Sequence, residues 1–127
     1  TYMNIPENLK YTKEHEWIRV EEDFAYVGIT DFAQGELGDI VFVELPNLED
    51  EFNQNDIFGT IEAVKTLADL FIPISGKIVA VNEDLEGQPE LINTSPYEDG
   101  WIVKIEVTNK EDLESLMNHN SYKELIS

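Results

Sequence analysis

The stretch Asp56-Ile57-Phe58-Gly59-Thr60-Ile61-Glu62-Ala63-Val64-Lys65-Thr66-Leu67-Ala68-Asp69-Leu70-Phe71-Ile72-Pro73-Ile74-Ser75-Gly76-Lys77-Ile78-Val79-Ala80-Val81 decides how this chain folds. Two apolar runs, Ile57–Val64 and Leu67–Ile72, flank a single cation, Lys65. Both runs are rich in β-branched and aromatic residues and too short for ordinary helices, so they predict paired strands. Pairing puts Lys65 at the connecting turn, lifted clear of the sheet. The chain has only 8 Lys+Arg against 27 Asp+Glu, so a lone lysine at the tip of an apolar hairpin stands out. From these residues alone, a turn lysine that merely keeps the hairpin soluble would look the same.

On the N-terminal side, Tyr11 begins an extended segment after a polar lead-in. Trp17–Val20 and Phe24–Ile29 read as strands joined by the acidic turn Glu21-Glu22-Asp23. Thr30 is a helix N-cap, Asp31 suits the first-turn dipole, and Gly38 ends the helix after Leu37. Ile40–Leu45 reads as an alternating strand stopped by Pro46. Asn47–Asp56 reads as a solvated acidic loop, because it lacks the ligand order of a calcium loop. On the C-terminal side, Lys77–Val81 is a strand, Asn82–Asn93 a polar crossing with a short helical turn, and Trp101–Val107 an alternating strand. Asn109 caps a helix carrying Leu113, Leu116 and Met117 on one face, and Ser121–Ile126 closes the chain as a last helical stretch. Trp17, Tyr97 and Trp101 read as packing residues, and Gly59 and Gly76 as sites of close backbone approach. Many short strands with helices at the edges predict a mainly β sandwich or flattened barrel. One domain over 1–127 is expected, with a helical segment about 109–127.

The charge balance narrows the partners. A net charge of −19 and a pI near 4.1 argue against nucleic acid and anionic membrane surfaces, and favour basic patches on proteins. With no cysteine there is no disulfide framework and no thiolate metal site, and no metal is expected. No apolar run approaches a membrane span, and no signal or transit peptide is visible. His15 and His119 are the only histidines, without a nucleophile motif beside either, and no phosphate-binding glycine loop is present. The residues read as those of a carrier on which other proteins act, not as an enzyme.

Gly59, Glu62, Val64, Lys65 and Asp69, followed by Pro73, Ser75 and Gly76, resemble the lipoyl-attachment site of the glycine cleavage system H-protein family. Ala63 stands where that family usually has serine, and leaves Glu62 and Lys65 in place. The resemblance extends through Leu9–Trp17, Val27–Pro46, Pro89–Asn93 and Ser95–Ile105, in the family's order. It implies the barrel-sandwich hybrid of lipoyl and biotinyl domains, built of two antiparallel sheets. It also implies lipoic acid joined by an amide to Lys65, with Glu62 and Val64 beside it, and Glu62 open to being read by the lipoylating enzyme. The implied cargo is the aminomethyl group of glycine, and the implied cleft residues are Glu16, Asp69 and Glu14. Glu36, where some relatives have histidine, is given no role. Implied partners are the pyridoxal-phosphate glycine decarboxylase, the tetrahydrofolate-dependent aminomethyltransferase, dihydrolipoamide dehydrogenase, and a lipoate ligase or lipoyl/octanoyl transferase. A monomer in a bacterial cytoplasm is expected, or in a mitochondrial matrix for a eukaryotic source. Four rivals stay open: a relay that hands lipoyl groups to other carriers, a biotin carrier, an acidic interaction module without cofactor, and, last, an enzyme with turnover of its own. Val64 and Thr66 argue against biotin, whose sites have methionine on both sides of the lysine.

Overall fold

The computed structural model describes residues 4–127. In chain order it runs β1 (Lys10–Tyr11), β2 (Glu16–Glu21), β3 (Phe24–Ile29), α1 (Asp31–Leu37), β4 (Ile40–Glu44), β5 (Glu51–Phe52), β6 (Ile57–Ala63), β7 (Leu67–Phe71) and β8 (Gly76–Val81). There follow α2 (Asp84–Gly87), α3 (Leu91–Thr94), β9 (Val103–Val107), a 3₁₀ helix (Lys110–Ser115) and α4 (His119–Ile126). The strands form a six-stranded sheet, β1-β2-β3-β9-β8-β5, and a three-stranded sheet, β4-β6-β7, with every pairing antiparallel. Ile18, Val27, Ile78 and Ile105 of the first and Val43, Ile61 and Leu70 of the second share one buried cluster. That two-layer arrangement is the predicted barrel-sandwich hybrid.

Local chemistry explains most boundaries. Thr30 caps α1 by accepting the Ala33 N–H, and Gly38 closes the helix at φ +80°, a conformation that favours glycine. Cross-strand from Trp17 lies Gly28, and the indole covers the space a side chain there would need. Gly59 and Gly76 lie against the carbonyls of Glu44 and Glu106, leaving no room for a Cβ. A second buried cluster holds Leu9, Tyr11, Trp17, Tyr97 and Tyr122, with Trp101 edge-on against Tyr26 at its margin.

The structure corrects several expectations. Strand β4 does not alternate: a bulge between Ile40 and Phe42 leaves Val41 and Phe42 both exposed before Val43 turns inward. The acidic loop Asn47–Asp56 contains β5, whose Glu51 and Phe52 pair with Lys77 and Gly76. Strand β9 begins at Val103 rather than Trp101, because the Trp101 N–H is taken by the Glu98 carbonyl of the preceding turn at 3.3 Å. Two short helices, α2 and α3, occupy the polar crossing. Leu113, Leu116 and Met117 do not share a helical face. The 3₁₀ helix stops at Ser115, and Met117 exchanges backbone hydrogen bonds of 2.8 Å with Tyr11. A bridge to β1 outcompetes further winding there. The last helix starts at His119, because Asn118 caps it through the Ser121 N–H.

Candidate functional site

The register of β6 on β7 runs to Glu62↔Leu67, and the Ala63 N–H then donates to the Thr66 carbonyl at 2.8 Å. Val64 and Lys65 are left at the tip. The Val64 N–H donates to the Asp39 carbonyl at 3.0 Å, so backbone bonds tie the tip to the segment following α1. Side chains there contribute little burial: Val64 is 76% and Leu67 65% exposed. The stem of Lys65 rests on Gly38, where a methyl group would sit 3.4 Å from Cε and 3.9 Å from Nζ. A lysine is favoured at that spot, because the carbonyl end of α1 is partially negative and has no basic residue of its own. Glu62 lies on the outer face of the three-stranded sheet, between Phe42 and Leu67.

Beside the hairpin is a cavity of about 160 Å³ lined by Glu14, His15, Glu16, Ile29, Ala33, Glu36, Leu37, Ile61, Ala68, Asp69 and Leu70. Its walls come from the β1–β2 turn, α1 and the β6–β7 pair. Ile29, Ile61 and Leu70 are buried, whereas Glu14, Glu36 and Asp69 stand exposed at the rim. The result is an apolar slot with a carboxylate lip. Asp69 is four residues from Lys65, at most about 13 Å even for extended chain, within reach of a long lysine-borne arm.

Glu16 forms the inner end of the slot and is 2% exposed. Its Oε1 accepts the Thr12 hydroxyl at 2.5 Å, and its Oε2 accepts the Phe71 N–H at 3.4 Å. Burial pushes its carboxyl up to about 7, against the pull of the Thr12 and Phe71 hydrogen bonds. His15 next to it has φ +70°, a left-handed conformation rare outside glycine. Its ring lies against Phe32, and Nδ1 is 2.8 Å from the Tyr122 hydroxyl. Burial lowers its pKa, opposed by Glu14 and Glu36. The Tyr122 hydroxyl is also 2.7 Å from Thr30 Oγ1.

The structure thus brings Glu14, Glu16 and Asp69 to one cavity and puts Lys65 at its approach, while Glu62 and Val64 stay on the outer hairpin. It adds Glu36 to the rim, for which the sequence suggested no role, and His15 to the wall. Thr30 was legible as a helix cap but not as a neighbour of the cleft. Tyr122 had no local signal at all, since its contact with His15 spans 107 positions.

The chain is similar to known proteins along nearly its whole length. A sequence model described as glycine cleavage H-protein matches residues 9–127. Glycine cleavage system H proteins from two strains of Staphylococcus epidermidis are 56% and 55% identical over 124 residues, covering 98% of this chain and 98% of each relative. The crystal structure of a glycine cleavage system H protein from Mycobacterium marinum superposes with a TM-score of 0.86 at 34% identity. It covers 94% of this chain and 97% of that one.

Proposed function

This chain belongs to the glycine cleavage H-protein family and is a lipoyl carrier of that system; we propose that Lys65 is its attachment residue and that the cleft beside the hairpin shelters the aminomethyl cargo. The observation that carries the reading is the juxtaposition of an exposed lysine at a pinned tip with an apolar slot ending in carboxylates. The fit to a lipoyl arm is chemical. The Lys65 amine is solvent-facing and held on strands, so a modifying enzyme can reach it. Ile29, Ile61, Leu70 and Leu37 offer hydrocarbon to an aliphatic chain, and Glu16, Glu14 and Asp69 offer anionic oxygens to an ammonium. When bound, the lipoyl group supplies a disulfide–dithiol pair that takes up the aminomethyl group and reducing equivalents. The chain's own residues orient, neutralise and keep dry.

Glu16 has the most specific part. Buried with no cation paired to it among the described residues, its carboxyl is pushed up to about 7 by desolvation. An ammonium arriving within hydrogen-bond distance favours the carboxylate, and the low-dielectric slot strengthens that pair. Asp69 and Glu14 at the rim meet the same charge with solvent-exposed carboxylates, and screening makes their share smaller. Excluding water matters because the cargo is lost by hydrolysis to ammonia and formaldehyde.

The carrier performs no turnover of its own in this reading. Its partners are the glycine decarboxylase, the aminomethyltransferase, dihydrolipoamide dehydrogenase and a lipoate-attaching enzyme. The surface charge of −19 favours docking on their basic patches, with KM values that rise with salt. The bacterial relatives support a bacterial cytoplasm as the compartment. The decisive experiment is intact mass and peptide mapping after co-expression with a lipoate ligase. One lipoyl group on Lys65, and none in Lys65→Arg, supports the assignment. No gain, with the ligase active on another carrier, overturns it.

A further inference from the structure

Helix α4 has eight residues, too few to be stable alone, and its single fully buried side chain is Tyr122. That ring stacks on Tyr11 with centroids 4.7 Å apart and planes 9° from parallel. Beyond the ring, its hydroxyl reaches two groups from different walls of the cleft, His15 Nδ1 at 2.8 Å and Thr30 Oγ1 at 2.7 Å. The two partners are themselves joined, since the Thr30 N–H donates to the His15 carbonyl at 3.0 Å. Thr30 Oγ1 in turn accepts the Ala33 N–H at 3.2 Å, and so sets where α1 begins. From α1 come Ala33, Glu36 and Leu37 of the slot; from the turn holding His15 come Glu14 and Glu16.

We infer that Tyr122 is a positioning residue for the cleft: its hydroxyl clamps the Glu14–Glu16 turn to the N-terminus of α1, and so sets the spacing between carboxylates on facing walls. Three features support the clamp. His15 has a left-handed backbone that costs about 1 kcal/mol or more, and such a conformation persists only where its surroundings hold it. The Tyr122 hydroxyl has one proton and two lone pairs, which satisfy an imidazole nitrogen on one side and a hydroxyl on the other in either direction of donation. The phenol is neutral near pH 7 at its ordinary value, and burial pushes it further up, to about 12. The clamp therefore adds no charge to a cleft that must answer to an ammonium. The inference rests on the cleft being the cargo site.

The test compares Tyr122→Phe with Tyr11→Phe. Both keep the stacked rings, and the second removes a hydroxyl of the same cluster that bonds to the Pro6 carbonyl at 2.6 Å, away from the cleft. In the unmodified protein, amide exchange at Ala33 and Gln34 should quicken about fivefold in Tyr122→Phe, the effect of losing one ordinary hydrogen bond. The His15 ring nitrogen resonances should shift with it, and Tyr11→Phe should change neither. In lipoylated, aminomethyl-loaded protein, ammonia release should also rise about fivefold in Tyr122→Phe alone, with lipoylation of Lys65 unchanged. The cargo leaves with water as the thiol, formaldehyde and ammonium, so ammonia counts each loss once. Wild-type exchange at Ala33 and Gln34 in Tyr122→Phe overturns the clamp, as does equal quickening in Tyr11→Phe. Faster exchange with an unchanged ammonia rate restricts Tyr122 to a structural role and overturns positioning. Glu16→Gln separates the underlying reading: if it leaves ammonia release unchanged, the carboxylate assignment fails, whatever Tyr122→Phe does.

Discussion

At the carbonyl end of α1, the Lys65 tip is held by main-chain bonds to Asp39 and Thr66, while Val64, Lys65 and Leu67 project into solvent. At the amide end, fewer than ten residues away, Thr30 is wholly buried and bonded to Tyr122, His15 and Ala33. One end is shaped by backbone and leaves its side chains free to be recognised. The other is shaped by side chains and closes a slot against water. Substitutions at the first should therefore change modification with little effect on stability, and substitutions at the second should change stability and cargo retention together.

Lys65→Arg makes the sharpest test of the open end. Lipoyl attachment should fall to nothing by intact mass, while the unfolding free energy stays within about 0.5 kcal/mol of wild type, as for other exposed substitutions. A large stability change would erase the contrast.

At the closed end, Glu16→Gln should release cargo about tenfold faster, since a charged hydrogen bond is replaced by a neutral one. Its stability should respond to pH with a definite sign. The folded-state carboxyl lies at about 7, above its ordinary value of 4.5, so Glu16 lends its full stability below the ordinary value and loses it as pH rises through 7. Glutamine does not titrate. Urea unfolding should find the variant gaining on wild type by about 1–3 kcal/mol between pH 5 and pH 8. A flat difference would show that Glu16 is solvated and the slot wet.

The two caps of α1 compare directly. Thr30→Ala should cost about 1–2 kcal/mol and loosen α1 by amide exchange. Gly38→Ala should cost about 1 kcal/mol, because alanine is poorly suited to φ +80°, and should slow lipoylation without quickening cargo loss. Smallest of all is Val64→Ala. At 76% exposure it should leave thermal unfolding within about 0.5 kcal/mol, with any effect confined to the lipoylation rate.

How much of this was readable in advance depended on the range of the forces involved. The hairpin was legible because β-branched runs, a lone cation and the Pro73 and Gly76 punctuation act within a few residues of one another. Thr30 and Gly38 marked both ends of α1 for the same reason, since capping is a matter of one side chain or one dihedral. The bulge of β4 is invisible in the sequence because it comes from pairing with β6, and periodicity within a single strand cannot show that. The helix after Asn109 is shorter than its apolar pattern predicts because Met117 bonds to Tyr11, more than a hundred positions earlier. Glu36 has no role in the sequence reading because it stands where some relatives have histidine, and its place on the rim depends on how α1 packs beside β7.

The sequence by itself singled out Lys65, the strands that present it, the helix beside it and the family to which they point. Local propensity and a contiguous motif suffice for those. Tertiary structure alone decided that Glu16 is buried and holds its proton, that Glu36 joins the rim, and that Tyr122 reaches the cleft from the far end of the chain. Burial and hydrogen bonding across long sequence separations are properties of packed surfaces, and a surface exists only once the sheets have closed on one another.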